Sequence, residues 1–336
     1  MTRLVCVTVL VFGLGASARG QDQPPQAPPS QQQPESPPGA PAQPETTPDT
    51  AVSKPPRVVG QPQSQEELNA WIAIEQAADM QQKAKLAEDF LRLYPESGLT
   101  PLAHQLLAVN YQIENNFEKF TYHGEKTLEE LPNNPLILSA LAVAYAQKGE
   151  PDKATDRAKR GLHALEGMAK PAGVGEADWV IHKDQLEADA HYALGVASVI
   201  RHQRAPAAEG QKDTNITEAI EELTAAVKLD PSHDRAYYHL GFAFARQNNA
   251  EKAMESYARA AGIGGIAQSL ARTQLQKLYE FVYKSTDGME QAINQQKEYV
   301  QRQLTEKRAR AESLQSQSAP QQPAAPSTSD TPTPQP

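Results

Sequence analysis

Apolar residues return in this chain at a fixed interval of 34. Leu107, Ala108 and Tyr111 are matched by Leu141, Ala142 and Tyr145. Further on, Ala219, Leu223 and Ala226 are matched by Ala253, Tyr257 and Ala260. Leu194-Gly195 and Leu240-Gly241 carry the same paired signal, a large apolar residue followed by a very small one. A fixed interval of this size describes one supersecondary unit that cannot bury its own apolar face. Successive units must therefore stack. Between Gln65 and Glu312, Ala, Leu, Glu, Gln and Lys dominate, with apolar residues three and four apart and no period-two run. The units are expected to be helical.

Four units begin near Pro101, Pro135, Ala188 and Asp234. A weaker helix pair precedes them, about Glu66 to Ala78 and Gln82 to Tyr94. A divergent pair follows, about Ala267 to Tyr283 and Gly288 to Leu304, read as a terminal cap. Two spacings depart from the period. Leu141 to Leu194 is 19 residues too long, and the excess is placed around 167–178, where Pro171, Gly173 and Gly175 break the helix. Leu194 to Leu240 is 12 too long. That excess is placed in a first helix extended to about Arg204 and a loop over 205–214. Insertions in stacked repeats map to loops on one face, so both are candidates for function.

The unit from Asp234 to Ile263 resembles the tetratricopeptide repeat. Tyr237, Leu240, Gly241 and Phe244 stand where that family's first helix carries large, large, small and aromatic residues, and Ala253, Tyr257 and Ala260 fit its second helix. The resemblance implies an all-α fold, a right-handed solenoid of antiparallel helix pairs. It also implies that Leu107, Ala108, Tyr111, Leu141, Ala142, Tyr145, Leu194, Gly195, Ala219 and the seven residues of the best unit are packing residues.

Outside the repeats the composition changes. Most of the 27 prolines lie before residue 63 or after residue 319. A Pro/Gln-rich linker over 19–64 and a Pro/Gln/Ser/Thr-rich tail over 313–336 hold too little apolar surface to offset ordering entropy, and both are expected to be disordered. The repeat domain is thereby bounded at 65–312. Residues 1–18 read as a signal peptide: Arg3, then the apolar run Leu4 to Ala16, then Ala16-Ser17-Ala18 as a cleavage site. The chain is expected to be exported, periplasmic or extracellular. Cys6, the single cysteine, lies inside the signal, so the exported chain would carry no disulfide and no thiolate site. No later run is long enough to span a membrane.

No constellation points to catalysis. His233 and His239 are six apart across a helix start, and His191 occupies a position that normally packs between helices. Gly262-Ile263-Gly264-Gly265 follows a helix and has no Lys-Ser/Thr after it, so it reads as a helix stop. Asn215 or Thr217 is expected to cap the helix that follows. No enzyme activity, cofactor or metal is expected. A net charge of −9 and the lack of aromatic residues among the basic ones argue against nucleic acid.

The expected function is to hold a protein or peptide. In the family that the chain resembles, first helices line a concave groove. Carried over by position, the groove comprises Leu102, Gln105, Val109, Gln112 and Ile113, then Leu136, Ser139, Val143 and Ala146. It continues through Tyr192, Val196, Val199 and Ile200 to Arg235, Tyr238, Phe242 and Arg246. The stretch from Tyr192 to Arg246 would be an apolar, Arg-rimmed site for an amphipathic segment. A competing reading of this surface is that the last helix or a second copy already covers it, and a competing function is a self-associating structural component of the cell envelope.

Overall fold

The structure is a computed structural model that describes residues 57–208 and 211–318. The residues read as a signal peptide, most of the expected linker and the last part of the expected tail lie outside the described residues. The chain divides into two compact units, with the division between Leu106 and Leu107. Twelve α-helices are found among the described residues: α1 Gln65–Gln76, α2 Met80–Leu93, α3 Thr100–Ile113, α4 Phe117–Glu130, α5 Pro135–Gln147, α6 Pro151–Glu166, α7 Glu176–Arg204, α8 Thr214–Leu229, α9 Asp234–Arg246, α10 Ala250–Ile263, α11 Gln268–Tyr283 and α12 Met289–Ser318.

The first unit is built on α1 and α2, capped by Ser64 and Asp79, whose side chains accept from Glu67 N and Gln82 N. Trp71 meets Phe90 edge to face at 5.8 Å, and Ile74, Ala87 and Phe90 are buried. Part of the expected linker belongs to this unit. Arg57 donates to Ser97 O and Thr100 Oγ1, and Gly60 N donates to Gly98 O at 2.7 Å. Gly98 is required there, because a Cβ would stand 1.9 Å from Val58 O. Buried Glu67 ties the segment down by accepting from Gln63 N and Ser97 Oγ. Polar backbone made in full is what orders a stretch with little apolar content. At the other end, α12 continues to Ser318, six residues past the expected end of the repeat domain at Glu312.

The second unit is a stack of helix pairs, α5 on α6, α7 on α8 and α9 on α10, with α7 also lying between α5 and α9. A common turn joins first to second helix. Asn115, Gly149 and Asn248 each adopt positive φ, and the next residue's N–H returns to Tyr111 O, Tyr145 O and Phe244 O at 2.9–3.0 Å. Asn and Gly are the residues that enter this region at least cost. In each case a lysine eight residues on sits over the aromatic ring: Lys119 over Tyr111, Lys153 over Tyr145 and Lys252 over Phe244, at 4.5, 5.1 and 5.4 Å. The repeat-packing residues named above are buried, except that Phe244 is half-buried. Gly241 lies against Tyr257, whose ring a Cβ would approach to 2.8 Å, and Gly195 lies against Leu223 in the same way.

Two features depart from the expected plan. The break after α6 is short, and helix resumes at Glu176, so much of the excess length is helix. This makes α7 a 29-residue rod of roughly 44 Å. The last two helices do not form a pair. After α11 the chain turns back, and α12 lies along α10 and α7 with only slight contact to α11. Arg259 reaches α12 through Gln296 Oε1 at 2.9 Å and stacks on Tyr299. Lys307 bonds Asp184 Oδ2 at 2.8 Å and Leu229 O. Ile293, Val300 and Ala311 form the buried seam. The cause is visible one period after Gly241, where the chain has Leu275. This leucine is fully buried and leaves no close approach for a second helix. Positions of small and aromatic residues in α10 become Asp287, Gln291 and Asn294 in the chain leading to and into α12.

Candidate partner-binding site

The candidate surface is carried by α7 and α9. Asp234 begins α9 with its carboxylate accepting from Ala267 N at 2.8 Å, and His233 caps the helix through Nδ1, which accepts from Ala236 N. That bond requires His233 Nδ1 to be unprotonated, so the neutral ring carries its hydrogen on Nε2. Nε2 stands 3.3 Å from Asp189 Oδ1, in a geometry that makes no hydrogen bond.

Tyr192 lies between these groups. Its ring is 4.6 Å from that of His233 and 5.9 Å from that of His239, and the Arg235 guanidinium covers it at 5.1 Å. Burial pushes the Tyr192 phenol up. Burial, with Arg235 and His233 adding to it, pushes His239 down to about 4, so His239 is neutral near pH 7. Sequence spacing separates His233 from His239. The structure brings both to one aromatic ring, because one is a cap outside the helix and the other lies within it.

The predicted groove residues divide by depth. Tyr192, Val196 and Val199 are buried at 2, 4 and 2% exposure, as are Gln105, Val109, Ser139, Val143 and Ala146. For these the expectation of a contact surface gives way to packing. First helices lie side by side here, and α7 is flanked by both α5 and α9. Leu102, Leu136, Ile200, Arg235, Tyr238 and Phe242 are half-buried, while Gln112, Ile113 and Arg246 are exposed. Arg246 lies over the Phe242 ring at 5.3 Å, and Tyr238 meets Tyr257 at 5.8 Å. The accessible surface is therefore a ridge on α9 with Ile200 beside it, above a packed floor. α12 lies instead against α10 and the first turns of α7.

The loop after α7 is held by Asp213. It caps α8 through Ile216 N, accepts from Ala207 N and sits 2.5 Å from His202 Nδ1. Asp213, and not Asn215 or Thr217, is the cap, and α8 begins two residues earlier than a cap at Asn215 would allow. Burial would raise the Asp213 carboxyl, but the bonds from His202, Ile216 and Ala207 hold it below its usual value. Along the same α7–α8 seam, Ser198 Oγ donates to Glu218 and His191 pairs with Glu222 at 2.6 Å. These groups satisfy one another and leave no nucleophile–base set aimed at solvent. Among the described residues, no group of three or more His, Cys, Asp or Glu could hold a metal ion. No helix among them is long and apolar enough to cross a membrane.

Stacked antiparallel helix pairs of this kind define an all-α repeat protein. Residues 211–266, which include α8, α9 and α10, match the family model of the tetratricopeptide repeat. Three solved structures are similar to the chain at low identity. MamA (41-end) from Desulfovibrio magneticus RS-1 is 14% identical, covering 60% of this chain and 96% of that one, with a TM-score of 0.43. YrrB, a repeat protein with an unusual peptide-binding site, is 18% identical, covering 62% and 91%, with a TM-score of 0.41. PilW, a type IV pilus biogenesis factor, is 14% identical, covering 68% and 99%, with a TM-score of 0.40. No curated protein sequence matches the chain.

Proposed function

We propose that this chain is an exported scaffold, working in the periplasm or outside the cell, that holds a protein partner on the α9 ridge. The observation that carries this reading is the state of Tyr238 and Phe242. Both aromatic side chains remain half-exposed between Arg235 and Arg246, although the chain has a long last helix that could have covered them. Aromatic and arginine side chains contribute most of the affinity at protein interfaces. An amphipathic helix or extended segment suits a ridge of this width, its apolar residues on Tyr238 and Phe242 and its acidic ones on the arginines. The Lys and Asn set by which relatives of this repeat clamp a terminal carboxylate is missing from these positions, so an internal segment fits better than a chain end. Export rests on Arg3, the run Leu4 to Ala16 and Ala16-Ser17-Ala18.

The test replaces Tyr238 and Phe242 together by Ser and carries a photo-crosslinker at Ile200. Loss of crosslinked partner in the source cell's envelope fraction, with melting temperature and helicity kept, supports the site. Partner capture that survives the double substitution removes it.

A further inference from the structure

We infer that α11 is the contact face of a dimer, in which it packs antiparallel against α11 of a second copy of this chain. The starting point is the failure of the last pair. In the three preceding pairs the second helix covers the first, but α12 swings away to α10 and α7. Ala271 and Leu275, on the side that a second helix would cover, are buried, but a stripe of α11 beside them is left bare. Leu270 is 56% exposed, Phe281 74% and Ile266, just before the helix, 86%. With Gln274 and Lys277 they form a stripe at four-, four-, three- and four-residue steps, which is one face of an α-helix. Large apolar groups gathered on one face mark an interface more often than scattered ones do.

Between Gln21 and Pro56 the largest apolar residue other than proline is Val52, so that segment supplies no apolar helix for this face. The stripe suits itself. In a two-fold pairing centred between Leu275 and Gln276, Leu270 faces Phe281 of the second copy and Gln274 faces Lys277. The four apolar side chains then flank two amide–ammonium contacts, and no like charges stand directly opposite. Arg272 stays out of the seam, committed to Glu290. This inference is independent of the α9 ridge.

A register this specific can be read with thiols, because Cys6 is the chain's single cysteine. In a Cys6→Ser background, one preparation carries Leu270→Cys and another carries Phe281→Cys. Mixed and mildly oxidised, they should give a disulfide-linked heterodimer. Each preparation alone should stay unlinked, since equivalent positions would stand about 16 Å apart along the helices. Sedimentation of the unsubstituted chain should show a dimer that Phe281→Asp converts to monomer, with helicity and melting temperature kept. A monomer throughout the micromolar range overturns the inference. So does a dimer indifferent to Phe281→Asp, or Leu270→Cys linking to itself as readily as to Phe281→Cys.

Discussion

The pairs α9–α10 and α11–α12 occupy successive periods of one repeat and end in opposite states. In the first, Gly241 admits the Tyr257 ring, Asn249 caps α10, and Ala253 and Ala260 close the seam. In the second, Leu275 fills the place of the glycine, and the following positions are polar. The second helix is released to serve another part of the molecule. At the point of closest approach the paired period carries Gly241 and the unpaired one Leu275. The neighbouring aromatic and small residues are useful only once that approach exists.

The largest expected effect breaks the first pair. Gly241→Leu should cost about 3 kcal/mol in urea unfolding, because the new side chain and the Tyr257 ring cannot both fit. A wild-type midpoint would mean that α10 can shift at no cost, and the contrast with Leu275 would lose its cause.

The second effect is one of pH. His239 in α9 is held neutral with a pKa of about 4, against about 6.5 when unfolded. The unfolded chain therefore takes up a proton first, and stability falls as pH drops from about 6.5 toward 4, then levels. The loss should reach about 3 kcal/mol. His239→Gln should flatten that part of the curve, while His163→Gln on the exposed face of α6 should leave it unchanged.

The released helix gives the third. Lys307→Met removes the tie to Asp184 and Leu229 O and should cost about 1 kcal/mol, with exchange of α12 amides rising before that of α10. The smallest belongs to bare α11, where Phe281→Ser should alter monomer stability by less than about 0.5 kcal/mol. A large loss there would mean that this ring is packed inside a single chain.

The first pair was legible in the sequence because its determinants are local: Tyr237, Leu240, Gly241 and Tyr257 fall on one period. The fate of α12 was not, although Leu275, one period after Gly241, marks where the pattern fails. Its buried seam of Ile293, Val300 and Ala311 is too sparse to name its neighbour. The extension of α7 was hidden for a related reason. Pro171, Gly173 and Gly175 do end a helix, but nothing local shows that helix resumes at Glu176, because its stability comes partly from α12 across the chain. Groove depth was illegible too. The groove positions of the resembled family gave Tyr192, Val196, Tyr238 and Phe242 one role, whereas burial depends on whether a helix stands on one side or on both.

The bond from Lys307 to Asp184 also bears on how the chain folds. Stacked repeats ordinarily touch only their neighbours and can fray from an end one unit at a time. Here the last helix reaches back past the complete pair α9–α10, joining α7 to α12 in a closed circuit. Opening α9–α10 then requires α12 to let go as well. The C-terminal half gains the all-or-none unfolding of a globular domain, together with the slow step of closing a long loop before that last contact can form.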